Sequence, residues 1–290
     1  MNNIYKQAQQ HIQTLINSDK NTANHVQNFY VQALNVIKNH IRAFYQQYSD
    51  DNGLSVKQMA TSVNNWDMKQ FTNAINELMV DSTDSNLNNR LLIAKTMTRT
   101  NKTNLIGGIA TAAFAVATYN VAKFGNNQIN QQYIQEYRYH NPTDKSIIPK
   151  AQKYINDFNS KVWANGDVSS IRAKQLVQKM VTKGIDDNSL NELLKSTNNS
   201  HLTNNLDSVT QNGISFNKQL LRKDMIDSTN QSSMDSYRAN GTKKLMWVTE
   251  DDDKVCTQCA PLDHNIYNIN DCPTPQLDTH NNCRCILVSV

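Results

Sequence analysis

The first 141 residues contain no proline, and this absence constrains the fold more than any other feature of the 290-residue chain. Proline is the strongest helix breaker, because it lacks an amide N–H and its ring clashes with the preceding turn. The whole chain has only eight glycines and five prolines. This scarcity excludes collagen-like and proline-rich linker proteins and predicts long helices.

The N-terminal region shows apolar residues at helical spacing through residues 1–48. This pattern predicts a pair of packed helices, and its aromatic residues fit core packing better than a stacking platform for bases. Ser55 and Gln58 predict a capping box that opens a short helix. Asp67 is predicted to cap the helix that follows.

A long helical stretch is predicted near residues 86–138, and its middle carries no charge over residues 105–122. Eighteen uncharged residues reach the length of a transmembrane candidate. However, the segment contains Gly107 and Gly108, and many of its apolar residues are alanines. Small residues also permit close helix packing, so we expect a buried helix and treat membrane contact through 105–122 as the alternative.

Pro142 and Pro149 bracket a predicted domain boundary, after which residues 150–242 form a second helical set. Within this set, residues 196–213 are polar and are predicted to be a loop. The pattern changes after Gly241, which is typical of a helix C-terminus. Short strand-like runs follow at residues 245–248, 266–267 and 286–288.

All five cysteines lie between Cys256 and Cys285, and none occurs earlier. Zinc prefers four thiolate or imidazole ligands in a tetrahedron, and a C-x-x-C turn supplies two of them. The predicted ligands are Cys256, Cys259, His280 and one or both of Cys283 and Cys285. Cys272 precedes a proline and is predicted to be the spare thiol, and His264 is predicted to be a solvated loop residue.

Two alternatives to the metal site are a disulfide cluster and free thiols. The chain begins without the apolar segment of a signal peptide, so we expect a reducing cytoplasm, where disulfides are rare. The odd number of cysteines also argues against complete pairing. A bound zinc ion would stabilise a small unit with little core by about 10 kcal/mol or more.

The sequence favours a structural role for this zinc. The deaminase pattern H-x-E followed by P-C-x-x-C is absent, and so is H-E-x-x-H. The acidic run from Glu250 to Asp253 is predicted to be a solvated turn. The predicted fold class is therefore mainly α, with an extended helical N-terminal region (1–141), a helical middle domain (150–242) and a small zinc-clasped β unit (243–290).

Several motifs follow one another between Leu221 and Val290. They are YRANG (237–241), KKLMW (243–247), the acidic run, VCTQCAPLD (255–263) and HNNCRCILVSV (280–290). In this order they resemble the C-terminal part of the Mu F-like phage head morphogenesis proteins, also called minor head or minor capsid proteins. The sequence departs from that family at 224–229, where Arg-Thr-Glu is common, at Asn281, where proline is common, and at 264–266.

The resemblance implies a non-enzymatic minor component of a tailed-phage head, which acts in head morphogenesis near the portal and in genome packaging or ejection. The implied partners are the portal protein and/or the major capsid protein, with phage DNA as a further partner. The implied location is the virion, in the head interior or portal region, and the host cytoplasm during assembly.

The C-terminal unit is expected to be a rigid module that binds such a partner. Trp247 and Tyr267 are candidates for the contact surface, although packing of Trp247 against the metal unit is the favoured interpretation. A net charge of only +4 does not indicate a DNA-coating protein. The alternative functions are a DNA-binding or nuclease-like zinc protein and a membrane-active protein delivered with the genome.

Overall fold

The computed structural model describes residues 2–78, 82–143, 151–194, 205–250 and 255–290. In these residues the chain is mainly α-helical with a small C-terminal sheet, which confirms the predicted fold class at this level. The elements are α1 (Asn2–Tyr48), α2 (Val56–Met59), α3 (Asn65–Glu77), α4 (Ser85–Met97), α5 (Lys102–His140), α6 (Gln152–Val181), α7 (Asp187–Leu194), α8 (Leu206–Ala239), β1 (Lys244–Val248), β2 (Ile266–Asn268) and β3 (Ile286–Ser289).

Two predicted helix boundaries were wrong. Residues 2–48 form one continuous helix and not a helix pair. The stretch near 86–138 is two helices, because the side chain of Asn101 accepts a hydrogen bond from the Asn104 amide at 2.9 Å and so starts α5 anew. An asparagine in this position satisfies a backbone donor that the first helical turn leaves free.

The capping predictions had mixed outcomes. Ser55 and Gln58 form the predicted capping box. At α3, however, Asn64 is the N-cap and Asp67 is its reciprocal partner three residues later. The predicted loop at 196–213 was wrong from Leu206 onward, because α8 begins there behind Asn205, whose side chain accepts from the Ser208 amide at 2.7 Å. The first part of that prediction, residues 196–204, lies outside the described residues.

The uncharged stretch 105–122 lies inside α5, the one described helix that is long and apolar enough to cross a membrane. The most apolar window of α5 is 89% buried by other parts of the protein. Gly166 of α6 lies directly against Thr118, since an added Cβ would come within 2.2 Å of the threonine Oγ1. The small residues therefore allow close helix packing, as expected for a core helix.

Two compact units are distinguished by their internal contacts. Unit 1 contains residues 1–25, 123–160 and 218–290, and unit 2 contains residues 26–122 and 161–217. The long helices α1, α5, α6 and α8 each contribute residues to both units. This grouping collects segments that are distant in the sequence, whereas the predicted division at 141, 150 and 243 follows chain order.

The sheet in unit 1 has the order β2-β1-β3, with both pairs antiparallel. Successive side chains of a strand point to opposite faces, and both faces of β1 and β3 are covered. One face places Leu245, Trp247 and Leu287 against Met234 and Tyr237 of α8. The other face packs Met246, Val248, Ile286 and Val288 against Ala8, Ile12 and Leu15 of α1. The predicted strands thus form a sheet enclosed by helices.

Candidate metal centre

The first two donors stand on a tight turn that follows β1. The amides of Cys259 and Ala260 both donate to the carbonyl oxygen of Cys256, at 3.1 and 3.0 Å. The Cys259 amide also lies 3.3 Å from the Cys256 sulfur. A 3₁₀ turn over Ala260–Leu262 completes this knuckle. The C-x-x-C spacing therefore holds both sulfurs on the same side of one turn, as the sequence predicted.

Asp263 closes the knuckle onto neighbouring elements. Its Oδ1 accepts from the Thr249 amide at 2.9 Å, just after β1, and its Oδ2 accepts from the Tyr5 hydroxyl at 2.8 Å. The aspartate of the A-x-x-D motif thus has a structural role, because it fixes the knuckle relative to β1 and α1.

The remaining donors come from the loop that precedes β3. The Cys283 amide donates to the His280 carbonyl at 3.2 Å, which folds the loop back on itself. Asn282 adopts a positive φ of 63° at this bend. Asparagine tolerates this left-handed conformation better than most residues do. The Asn282 amide donates to Gln276 Oε1 at 2.9 Å, so a neighbouring loop residue supports the bend.

The five predicted donors come together in space around Cys259. Its sulfur lies 3.4 Å from His280 Nε2 and 3.5 Å from the sulfur of Cys283. Two triads have all of their donor atoms within 4.8 Å of one another: Cys256, Cys259 and His280, and Cys259, Cys283 and Cys285. The cluster can therefore hold a metal ion.

The donor set fits a tetrahedral zinc ion. Bonds of 2.0–2.3 Å from zinc to nitrogen and sulfur place neighbouring donors about 3.5–3.8 Å apart. The two distances from Cys259 are close to this range. Thiolate and imidazole are also the ligands typical of structural zinc. The identity of the metal is thus an expectation from ligand chemistry, whereas the convergence of the donors is a property of the fold.

The orientation of His280 suits a ligand. Its Nδ1 lies 3.0 Å from the carbonyl oxygen of Asn281, which can only accept a hydrogen bond. Nδ1 therefore carries a proton, and in the neutral ring the Nε2 lone pair is directed to the cluster. Such a bond from the second ring nitrogen is the usual support of a metal-binding histidine.

The thiols are crowded enough to oppose one another's ionisation. The Cys285 thiol donates to Cys283, and this bond outweighs burial and lowers the pKa of Cys283 to about 5. The pKa of Cys285 rises accordingly, chiefly because its proton is held in that bond. Burial and the neighbouring Cys256 raise the pKa of Cys259 to about 12. A bound dication would remove this conflict, because it stabilises several thiolates together.

Cys272 and His264 belong to neither metal-capable triad of the described residues. Cys272 packs beside the apolar core of the sheet, where burial raises the pKa of its thiol to about 11. His264 has an exposed side chain, and its ring stacks on Tyr5 with centroids 4.1 Å apart. These positions agree with the predicted spare thiol and solvated histidine, although the stacking contact was not predicted.

Trp247 is fully buried in the apolar core beside Cys259 and Cys283. It therefore packs against the metal unit, which was the favoured interpretation, and it is not available as a partner-binding side chain. Tyr267 is only partly buried. Glu250 accepts a hydrogen bond from Gln13, whereas Asp251 to Asp253 lie outside the described residues.

Sequence reasoning missed the charged residues beside the cluster. Arg284, between the last two cysteines, is buried and donates from Nε to Asp19 Oδ2 at 2.8 Å. Arg222 of α8 approaches the same Asp19 oxygen at 3.2 Å. The position of Arg284 between two cysteines was a usable signal, whereas nothing in the sequence connects it with Asp19, 265 residues away.

Comparisons with protein-family models, with curated proteins and with solved structures gave no match. The functional interpretation therefore depends on the motifs and on the geometry of the centre.

Proposed function

We propose that this chain is a non-enzymatic minor head protein of a tailed bacteriophage, which uses its C-terminal metal-binding module during head assembly near the portal. The observation that supports this proposal is the convergence of Cys256, Cys259, His280, Cys283 and Cys285, the residues that carry the resemblance to Mu F-like proteins. Further support comes from Asp263 of the same motif series, which fixes the knuckle.

In this proposal the metal is a structural zinc ion. Four protein donors would fill its coordination shell and leave no position for a substrate, which is typical of structural sites. The ion would join the knuckle after β1 to the loop before β3. The two connections would then hold the loops on the sheet as a fixed surface for a partner.

The proposed partners are the portal protein and/or the major capsid protein, with phage DNA as a further partner inside the head. The buried state of α5 gives no reason to extend the proposal to membranes. The proposed location is the virion, with the host cytoplasm as the site of assembly.

Two experiments test the proposal. Elemental analysis of the purified full chain should find about one zinc ion per chain, and a metal-free protein with oxidised thiols would contradict the proposed module. Cross-linking and mass spectrometry of particles from a phage that encodes this chain should link it to the portal or major capsid protein. Absence of the chain from purified particles would contradict the proposed function.

DNA contact is tested separately by filter binding over a salt series. Many phosphate contacts would make the affinity fall steeply as salt rises. A weak affinity with little salt dependence would remove DNA from the proposed partners and leave the head-assembly role untouched.

A further inference from the structure

The metal centre lines a cleft of about 610 Å³ in unit 1, and charged side chains line the same cleft. The cleft contains all five candidate donors together with Lys20, Arg222, Glu250 and Arg284. Apolar side chains alone would be enough to enclose a structural metal site. The charged side chains in this cleft therefore need an explanation beyond packing.

The two arginines of this cleft share a single carboxylate. Arg284 contacts both oxygens of Asp19, and Arg222 lies 3.2 Å from one of them. The side chains of Arg284 and Asp19 are only 8% and 9% exposed, and that of Arg222 is 42% exposed. Counted with the rest of the described cleft, three positive groups (Lys20, Arg222 and Arg284) stand against the two carboxylates of Asp19 and Glu250, so one positive charge is left over in a partly buried place. Such a charge is costly unless an anionic group lies near it.

A loaded metal centre is such an anionic group. A divalent ion with three thiolates and a neutral imidazole has a net charge of −1, and with four thiolates it has −2. Both arginines line the same cleft as the five donors, and Arg284 is covalently placed between Cys283 and Cys285. Opposite charges attract more strongly in a partly buried cleft than in bulk water.

We infer that Arg222 and Arg284, oriented by Asp19, are positioning residues that balance the negative charge of the metal–thiolate centre and raise its affinity for zinc. The inference rests on the proposed metal centre and adds the groups that set its affinity. Glu250 lines the same cleft and has the opposite effect, because its carboxylate repels the thiolates.

The test uses the full chain and measures zinc affinity by competition with a chromogenic chelator. Arg222→Gln should weaken zinc binding about 10-fold, at the lower end of the effects seen for groups just outside a metal's ligands. Part of this difference should disappear at high salt, because Arg222 is partly exposed and salt screens its charge. Glu250→Gln should change the affinity in the opposite direction and tighten binding.

Arg238→Gln is the matched control, since Arg238 stands on the same helix, is 60% exposed and does not line the cleft. Its zinc affinity should equal that of the wild type. Circular dichroism of each variant shows whether the helices are retained. In addition, the higher zinc affinity expected for Glu250→Gln cannot come from unfolding. If Arg222→Gln and Glu250→Gln both bind zinc like the wild type, the inference is wrong while the metal centre stands. If the wild-type chain itself binds no zinc, the proposed centre fails as well.

Discussion

The sheet region of unit 1 and the helical core of unit 2 are held together by different kinds of contact. In unit 2, the apolar residues of α5 are buried, and glycines bring neighbouring helices close to it. In unit 1 the sheet is also covered by apolar residues, but beside it stand the cysteine–histidine cluster, the Asp19 arginine pair and a buried glutamate.

The two kinds of contact differ in how strongly they depend on the solution around the protein. Close apolar packing depends on shape and is little affected by metal, pH or redox conditions. The charge of thiolates, carboxylates and imidazoles changes with protonation and with a bound cation, and thiolates are also oxidised. Unit 2 also holds a buried ion pair, in which Lys102 Nζ lies 3.6 Å from Asp67 Oδ2. We therefore expect the responses to metal and redox conditions in unit 1, and we expect the α5 core of unit 2 to respond mainly to changes of side-chain volume.

The largest effect is expected for Cys259→Ser, which removes the donor shared by both triads. Apparent binding energies of structural zinc are on the order of 10 kcal/mol or more. Zinc binding should be lost, and hydrogen exchange should become faster in the described loops of residues 255–285. The β1–β3 pairing should keep its protection, since helices cover both faces of the sheet. Unit 2 should not change.

Cys272→Ser is the control for this variant, because Cys272 is a cysteine of the same loops but belongs to neither triad. It should retain zinc and wild-type exchange rates. Equal zinc content in Cys259→Ser and the wild type would contradict the metal centre. Equal loss of protection in both units would contradict the contrast between them.

The next largest effect is expected at Glu136 in unit 1, where the stability of the protein should depend on pH. It is 2% exposed and lies 2.7 Å from His11 Nε2, 3.1 Å from His140 Nε2 and 2.8 Å from the Ser233 hydroxyl. Burial alone would raise the pKa of Glu136, but the bonds from both histidines outweigh it and lower the pKa to about 2, from an ordinary value of 4.5. The ionised form is thus favoured in the folded protein.

The sign of the effect follows from this lowered pKa. The stabilisation is complete above pH 4.5, where the unfolded chain is also ionised, and is lost as the pH falls through about 2. It amounts to about 3 kcal/mol at pH 7. Denaturant unfolding should show Glu136→Gln less stable by about this amount at pH 7. Below pH 4.5 the difference in free energy of unfolding between the wild type and the variant should narrow by about 1.4 kcal/mol per pH unit. A difference that stays constant with pH would contradict the lowered pKa of Glu136.

Much of the fold could be predicted from local signals, because they act over a few residues. Proline scarcity predicted the helices, Ser55 and Gln58 predicted a cap, and the strand-like runs after Gly241 became β1, β2 and β3. The spacing of the cysteines predicted the five donors that converge. The errors at Asn101 and Asn205 arose because one asparagine can end a helical pattern or begin a helix, depending on where its side chain bonds.

The other features depend on contacts between distant parts of the chain. The burial of the sheet between α1 and α8 brings residues 8–15 onto β3, and no pattern in either segment indicates the other. The same is true of Asp19 and Arg284, and of the Glu136 cluster, which joins α1, α5 and α8. The expectation that the C-terminal unit has little core was wrong for this reason, since helix residues complete a core with the strands.

Gly166→Ala tests the packing of unit 2. The new Cβ would lie 2.2 Å from Thr118 Oγ1 and 2.5 Å from its Cγ2, and Thr118 is fully buried. Overpacking of this kind costs about 2 kcal/mol. Thermal unfolding should reveal the loss, and it should be the same with zinc and with chelator. Thr118→Ala should restore much of the stability in the double variant, because it removes the clashing atoms.

Gly107→Ala is the matched control within α5. Its new Cβ would meet Lys174 Cγ and Met97 Cε at 3.2 Å, and both belong to long, flexible side chains. The gain in helix propensity offsets the crowding, so the change should stay within about 1 kcal/mol. If both glycine variants were equally destabilised, close contact at Gly166 would not be the cause.

The smallest effect is expected for Ser55→Ala, which removes a local cap in unit 2. The Ser55 hydroxyl accepts from the Gln58 amide at 3.2 Å, and the Gln58 side chain accepts from the Ser55 amide at 2.8 Å. Loss of the hydroxyl should cost about 1 kcal/mol, with no dependence on metal. Ser55→Asp keeps an acceptor at the cap and should remain near wild-type stability in the same denaturant series. A zinc-dependent loss in Ser55→Ala would break the contrast between the two regions, because a cap in unit 2 would then depend on the centre in unit 1.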